Sequence, residues 1–371
     1  MSRDYPARSR GAAAASRAFD PRELALARKL RGMRKNELAR SVGVTPAALS
    51  QYELGQSRPS PEILARFALA LGVPVSFFLL GHPAPASPSA AHFRSLRATT
   101  HLEREQVLAF GQLAWRLMSG IEQHVELPTC ALPQLTVAPE PGFGDIPDAA
   151  RQTRAAMGIG SGPVPHVVRL LEVHGIVVLL LPAMSRRVDA FSHWYGSRPF
   201  VFLNPVKDDK ARSRFDAAHE LGHLILHHDA EPGNRVVENQ AQDFAAEFLT
   251  PRDEIADELP RRLDWDRLHQ AKRQWGVSLK ALVYRARKLG LIGESTYRNG
   301  MIMLAQWGDP EPGPLGPRES PILLGKAMQV LAETGTDPDS LADQTGLATE
   351  IVQQILQAAG SGRPRVEIAV P

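Results

Sequence analysis

The sequence His219-Glu220-Leu221-Gly222-His223 places two histidines four residues apart in a segment with helical periodicity. Residues at this spacing share one helix face, so His219 and His223 can offer imidazole nitrogens to a single metal ion. Glu220 follows the first histidine and can take a proton from a water molecule at the open side of that ion. The spacing indicates metal-assisted hydrolysis, although paired histidines also occur on solvated helix faces.

Two helices must position this chemistry. Phe215, Ala218, Gly222 and Ile225 recur at helical spacing and form an apolar stripe apart from the histidines. A second helix is predicted from Val237 to the proline at position 251, which ends it.

A catalytic zinc ion usually has three protein ligands and one open position. We choose Glu238 as the third ligand, because Ala241 and Ala245 on its face are small enough to let the two helices approach. Glu247 is the second choice, and His227, one turn beyond His223, is the third.

The segments RFDAAHELGHLILHH and VENQAQDFAAEFLTP resemble the ImmA/IrrE family of metallopeptidases, specifically over residues 211–251 and diffusely over 164–300. The resemblance implies a Zn²⁺ cofactor held by His219, His223 and Glu238, with Glu220 as the general base. Thr250 stands where the family often has Met, which is a departure outside the metal ligands.

Residues 22–80 are predicted to form a bundle of short helices. Gly43 makes a turn, and Thr45 followed by Pro46 begins the next helix, which is the order of a helix-turn-helix. The segment NELARSVGVTPAALSQYELGQSRPSPEILARFALALGVP closely resembles the Xre-type, lambda-repressor-like DNA-binding domain.

That resemblance implies a double-stranded DNA operator as partner and, from helix-turn-helix symmetry, a homodimer. Gln51 can contact adenine, and Ala47 a thymine methyl. Lys35-Asn36 replaces the Thr-Gln pair that commonly begins the second helix, so the usual phosphate clamp is absent and Lys35 is its substitute. The predicted DNA-contacting residues are Lys35, Thr45, Pro46, Ala47, Ser50, Gln51 and Arg58.

Charge is distributed unevenly. Residues 1–80 contain 13 Lys and Arg against 6 Asp and Glu, whereas the remainder contains 30 against 34. A basic first quarter favours phosphate binding, although helical bundles also carry many solvated basic residues.

Composition excludes several classes of protein. No apolar run reaches the roughly 18 residues that a membrane helix needs. Residues 1–19 lack an apolar core and are not a signal peptide. Cys130 is the single cysteine, which excludes internal disulfides and cysteine-rich metal sites. We therefore expect a cytoplasmic protein with no membrane contact.

A small sheet is predicted before the metal helix. Residues 176–181 form a buried strand, and 188–193 with 199–203 form a hairpin. An edge strand there would hold a peptide substrate in extended form. His193 and Tyr195, near the hairpin tip with Trp194, are candidates for stabilising the oxyanion, and aromatic packing is their alternative role.

The predicted fold is multidomain and mainly α with a small sheet: an all-α helix-turn-helix bundle, a central α+β zincin-like domain and a C-terminal helical region. The boundaries are a disordered basic arm 1–19, DNA-binding domain 20–81, linker 82–100, helical connector 101–160, metallopeptidase-like domain 161–308, linker 309–321, and C-terminal hairpin and tail 322–371.

The hypothesis that joins both halves is a DNA-binding transcriptional regulator with a zinc-dependent endopeptidase-like domain. It would cleave or sense a protein or peptide partner, such as an Xre-type regulator, in a stress or mobile-element response. The alternative is a non-catalytic repressor or antitoxin in which the metal domain senses a ligand or mediates an interaction.

Overall fold

The computed structural model describes residues 18–79, 81, 92–93, 100–133, 135, 145–182, 190–206, 209–227 and 235–360. Three sequence predictions lie outside these residues in whole or large part. They are the basic arm, the linker 82–100 and the end of the chain after residue 360.

The described residues form mainly helices with a small sheet, which confirms the predicted fold class. The helices are α1 Pro21–Leu30, α2 Lys35–Val42, α3 Pro46–Glu53, α4 Pro61–Leu71, α5 His101–Ile121, α6 Asp145–Ala156, α7 Val167–Val173, α8 Lys210–Leu226, α9 Arg235–Leu249, α10 Arg252–Ile255, α11 Trp265–Trp275, α12 Leu279–Lys288, α13 Glu294–Trp307, α14 Leu323–Glu333, α15 Pro338–Thr345 and α16 Thr349–Ala358. The strands are β1 His92–Phe93, β2 Val177–Leu180, β3 Ala190–Tyr195 and β4 Arg198–Leu203, and Val75–Phe78 is a short 3-10 helix.

The chain divides into two compact units. The helical unit comprises the described residues of Met1–Ala86, Arg97–Leu127 and Leu324–Pro371, and the sheet unit comprises those of Ser87–Leu96 and Pro128–Leu323. The C-terminal helices therefore belong to the same unit as the N-terminal bundle.

In the helical unit, α1–α4 enclose a core that includes Leu24, Leu38, Leu49 and Phe67, all without exposed surface. The long helix α5 packs along α1. Arg116 of α5 donates to Glu23 of α1 at 2.6 Å, with both side chains buried. A buried guanidinium needs such a partner, so this pair fixes how the two helices meet.

The C-terminal helices α15 and α16 also pack against α5. They come very near to it at Gly120, where a Cβ atom would lie 2.6 Å from Cγ2 of Thr345. Only a residue without a side chain lets α5 and α15 come this near.

Replacing Gly120 by Ala is expected to lower the free energy of unfolding of the helical unit by about 1–3 kcal/mol, because the added methyl overpacks this contact. Thr345→Ser removes the obstructing methyl and keeps the hydroxyl, which bonds to the Leu341 carbonyl. The double variant should recover most of the loss in urea denaturation. Equal loss in the single and double variants would contradict the close contact as its cause.

The sheet of the second unit has strand order β1-β3-β4-β2. β3 and β4 form an antiparallel hairpin, β2 runs parallel to β4, and β1 pairs antiparallel with β3. One face contributes Ala190, Val201 and Leu203 to a core that also contains Leu221 of α8. This packing sets the metal-motif helix against the sheet.

The Pro/Gly-rich segment 309–321, here called the strap, is bound to the sheet unit by its carboxylates. Glu311 accepts from Lys272 Nζ at 2.7 Å and from the Leu279 N–H at 2.7 Å. Glu319 is buried, pairs with Arg214 of α8 and accepts from the Val168 N–H at 3.0 Å. The strap is therefore an integral part of this unit.

No helix among the described residues is both long and apolar enough to cross a membrane.

Candidate metal centre and nucleic-acid interface

The helices α8 and α9 pack tightly beside each other. Asp209 begins α8 by accepting from the Arg212 N–H at 2.7 Å. A Cβ at Gly222 would lie 3.0 Å from the Phe244 ring and 3.4 Å from Cα of Ala241. Gly222 and the small Ala241 thus allow the close approach that brings a side chain of α9 to the histidines of α8.

His219, His223 and Glu238 converge. Their potential ligand atoms all lie within 4.8 Å of one another. The Nε2 atoms of the two histidines are 3.1 Å apart, and Glu238 oxygens lie 3.4 Å from Nε2 of His219 and 3.6 Å from Nε2 of His223. The histidines are buried, whereas the Glu238 side chain is 21% exposed, so the cluster reaches solvent on the Glu238 side.

This donor set fits a metal ion. Two ring nitrogens and a carboxylate oxygen aimed at one point repel one another unless a cation or a proton lies between them. Imidazole nitrogen and carboxylate oxygen in this number are the ligands of a catalytic zinc site.

Glu220 lies beside the cluster without exposed surface. Its Oε2 accepts a hydrogen bond from the Ser192 hydroxyl of β3 at 2.8 Å. Ser192 therefore holds the carboxylate in one orientation, and it connects the sheet to the metal helix. No local pattern in the sequence marks this serine, because its contact depends on how the sheet packs on α8.

A buried chain of hydrogen bonds supports His223 from behind. Nδ1 of His223 lies 3.0 Å from Nδ1 of His227, and Nε2 of His227 lies 2.8 Å from Oε1 of Gln240. Because Gln240 offers an oxygen, His227 donates from Nε2 and its Nδ1 accepts the proton of His223 Nδ1. His223 then presents an unprotonated Nε2 to the cluster, which is the form that binds a metal.

Removing this support is expected to weaken metal binding. In His227→Ala the zinc affinity should fall about 10–100-fold, as for other groups that orient a metal ligand. Competition with a chromophoric chelator measures the change, and His174→Ala, on the end of α7, is the control. An unchanged affinity would show that His223 keeps its tautomer without His227.

Glu247, the second choice of ligand, lies in a different network. It is buried and pairs with Arg285 of α12 and, at 3.3 Å, with Arg151 of α6. It also accepts from the Arg252 N–H at 3.0 Å. These partners make it a structural carboxylate that joins α9 to α6 and α12.

His193 and Tyr195 lie on the face of β3 opposite to Ser192, because side chains alternate along a strand. Their rings meet at 4.5 Å, and the Tyr195 ring meets Phe200 at 5.3 Å. Burial raises the pKa of the Tyr195 hydroxyl above its usual value. These ring contacts are compatible with the alternative role of aromatic packing, and Trp194 shares the face of Ser192.

The predicted DNA-contacting residues lie on or next to α2 and α3. Thr45 caps α3 by accepting from the Ala48 N–H at 3.1 Å. The other predicted residues of this region differ in exposure. Ser50 is half-buried, and the exposed ones are Pro46, Ala47, Gln51 and Arg58.

Lys35 begins α2 and pairs with Glu53 at 3.2 Å while remaining 43% exposed. Glu53 also binds the buried Arg28 of α1, at 2.5 Å. A half-exposed ammonium beside the end of α3 can still reach a phosphate.

An all-α helix-turn-helix bundle joined to an α+β domain with this histidine and glutamate cluster defines a DNA-binding regulator with a metallopeptidase-like domain. Residues 24–78 match the family model described as Helix-turn-helix, and residues 171–287 match the one described as IrrE N-terminal-like domain. Over these residues the chain is similar to an Xre-like helix-turn-helix domain and to an ImmA/IrrE-type metallopeptidase domain. No curated protein matches it.

Proposed function

We propose that the protein is an operator-binding regulator whose sheet unit is a zinc-dependent endopeptidase acting on a protein partner. The observation that carries the proposal is the convergence of His219, His223 and Glu238 beside a buried glutamate held by Ser192. A metal module without hydrolytic function has no chemical use for Glu220 in that position. The partner we favour is an Xre-type regulator. Its cleavage would be part of a stress or mobile-element response.

In this proposal His219, His223 and Glu238 would hold the ion, and Glu238 lies toward solvent, where a substrate could enter. A zinc ion supplies Lewis acidity toward a water molecule and the peptide carbonyl. The His227–Gln240 chain keeps His223 in the metal-binding tautomer.

Glu220 performs the proton transfers. Its carboxylate accepts a proton from the attacking water molecule and passes it to the nitrogen of the leaving amine. Ser192 orients the carboxylate for both transfers by its hydrogen bond to Oε2.

Two measurements test the proposal together. Elemental analysis of the purified full chain should find about one zinc per chain, as a single four-coordinate site requires. Mass spectrometry should then find internal cleavage of a purified Xre-type regulator incubated with the zinc-loaded protein. Zinc-free protein as purified, or a regulator left intact at every ratio tested, would reject the peptidase.

The helical unit is proposed to bind a palindromic operator as a homodimer, with the two half-sites about one helical turn of DNA apart. The basic first quarter supplies the attraction to phosphate.

Sequence discrimination should depend on Gln51. In Gln51→Ala the preference for the operator over a variant with the contacted adenine changed should fall by about 1–3 kcal/mol. Lys35→Ala is the matched control, because loss of a phosphate contact weakens binding to all duplexes alike. Fluorescence anisotropy across salt concentrations separates the two, and an equal loss on every duplex in Gln51→Ala would contradict a base contact.

A further inference from the structure

The edge of the sheet nearest to the metal site is covered by a distant part of the same chain. Without β1, strand β3 would be the edge of the sheet β3-β4-β2. β1 pairs antiparallel with it, with His92 opposite Ser192 and Phe93 opposite Phe191. β1 comes from the stretch between the DNA-binding bundle and α5, about a hundred positions before β3 in the sequence.

The register places β1 next to the catalytic carboxylate. Ser192 is both the strand partner of His92 and the donor to Glu220. Neighbouring strands lie about 4.8 Å apart, so the backbone of β1 runs one strand spacing from the residue that orients the general base.

An exposed strand edge offers N–H and C=O groups to any extended peptide. At β3 these groups belong to the strand whose Ser192 contacts Glu220, the residue next to His219, and a peptidase must hold its substrate in extended form near that carboxylate. A peptide that uses this edge has to displace β1, because two strands cannot pair with the same edge.

An extended peptide held at the metal site would pair with the edge of β3, and we propose that the chain's own segment at His92–Phe93 blocks this edge in cis. This inference rests on the proposed function and adds its regulation. A tethered segment competes at an effective concentration of about millimolar. A peptide supplied in trans therefore binds weakly until the segment leaves the edge.

The test compares two full-length variants in a Glu220→Gln background, where the peptide stays intact. His92→Pro/Phe93→Pro removes both backbone N–H groups and is incompatible with strand pairing on this edge. His92→Ala/Phe93→Ala changes the same side chains and keeps both N–H groups, so it is the matched control.

The probe is a fluorescein-labelled peptide with the sequence of residues 87–98, and its binding is measured by fluorescence anisotropy. The proline variant should bind it at least about tenfold more tightly than the alanine variant, equivalent to 1.4 kcal/mol. Amide hydrogen exchange at residues 190–195 should also be faster in the proline variant, because the edge loses its partner. Equal peptide affinity and equal exchange in the two variants would overturn the proposal.

Exchange in α8 and the thermal unfolding midpoint verify that both variants are folded. The exchange comparison is repeated on metal-free protein, so it does not depend on zinc or on hydrolysis. If the chain binds no zinc and cuts no regulator while the two variants still differ, the peptidase fails and the occupied edge stands. If zinc binds and cleavage occurs, but the two variants have equal peptide affinity and equal exchange, the edge proposal fails and the peptidase proposal stands.

Discussion

Replacing Glu220 by Gln is expected to lower kcat for peptide hydrolysis by about 10²–10⁴, the usual contribution of a general acid–base group, while zinc remains bound. The carboxamide has nearly the same shape, and it can still accept from Ser192, which lies 2.8 Å from Oε2. It cannot take a proton from water. The loss should therefore fall on kcat, with the zinc content and the melting temperature unchanged.

The control is Ser192→Ala, which keeps the carboxylate and removes only its orientation. We expect a smaller decrease in kcat than for Glu220→Gln and no loss of zinc. Hydrolysis that continues unchanged in Glu220→Gln would assign the proton transfers to another group. Loss of zinc from this variant would instead mean that Glu220 supports the metal site.

Two glutamates of α9, nine residues apart, should give opposite results when replaced by alanine. Glu247→Ala leaves Arg285 buried without its carboxylate, which should cost about 3–5 kcal/mol of the free energy of unfolding. Its zinc affinity at temperatures where the protein is folded should stay the same. Denaturation in urea, monitored within the sheet unit by hydrogen exchange, measures the loss.

Glu238→Ala should have the opposite effects, a small loss of stability and a loss of zinc binding. Its side chain is partly exposed and its charged neighbours are the two histidines, so the metal-free protein should lose about 1 kcal/mol or less. Zinc binding should be lost, because a third protein ligand is removed. Zinc loss in Glu247→Ala with retention in Glu238→Ala would exchange the two assignments.

The convergence of His219, His223 and Glu238 could be predicted because its information is local. His219 and His223 are one helical turn apart, and Glu238 is followed by Ala241 and Ala245 at the spacing of a packed face. The helix-turn-helix is equally local, since Gly43, Thr45 and Pro46 mark its turn and the start of α3. Helix propensity, caps and periodicity all operate within a few residues, so one sequence is enough.

The groups that support the cluster were not predictable in the same way. Ser192 is an ordinary polar residue of a strand, and its contact with Glu220 exists only because the sheet packs on α8. The sequence offers His227 as a third candidate ligand, but its ring contacts Nδ1 of His223, the nitrogen that faces away from the cluster. The position of the His227 ring depends on how α8 ends and on the hydrogen bond with Gln240 of α9.

The pairing of β1 with β3 was missed because nothing in HPAPASPSAAHF alternates as a strand does. The helix α13 was also missed, although its Trp307 meets Trp265 of α11 at 4.5 Å. Both elements are stabilised by partners distant in sequence, which is the kind of contact that local patterns do not encode.

The strap has a practical consequence for anyone who shortens this protein. A version that stops at residue 308, the predicted end of the metallopeptidase-like domain, would remove the carboxylates that neutralise Arg214 and Lys272. Arg214 lies on α8, the helix that carries His219 and His223, and it would keep a buried charge without its carboxylate partner. The strap thus supplies a counterion to the helix that carries the histidines, and its removal would leave an unpaired charge in the interior of the sheet unit.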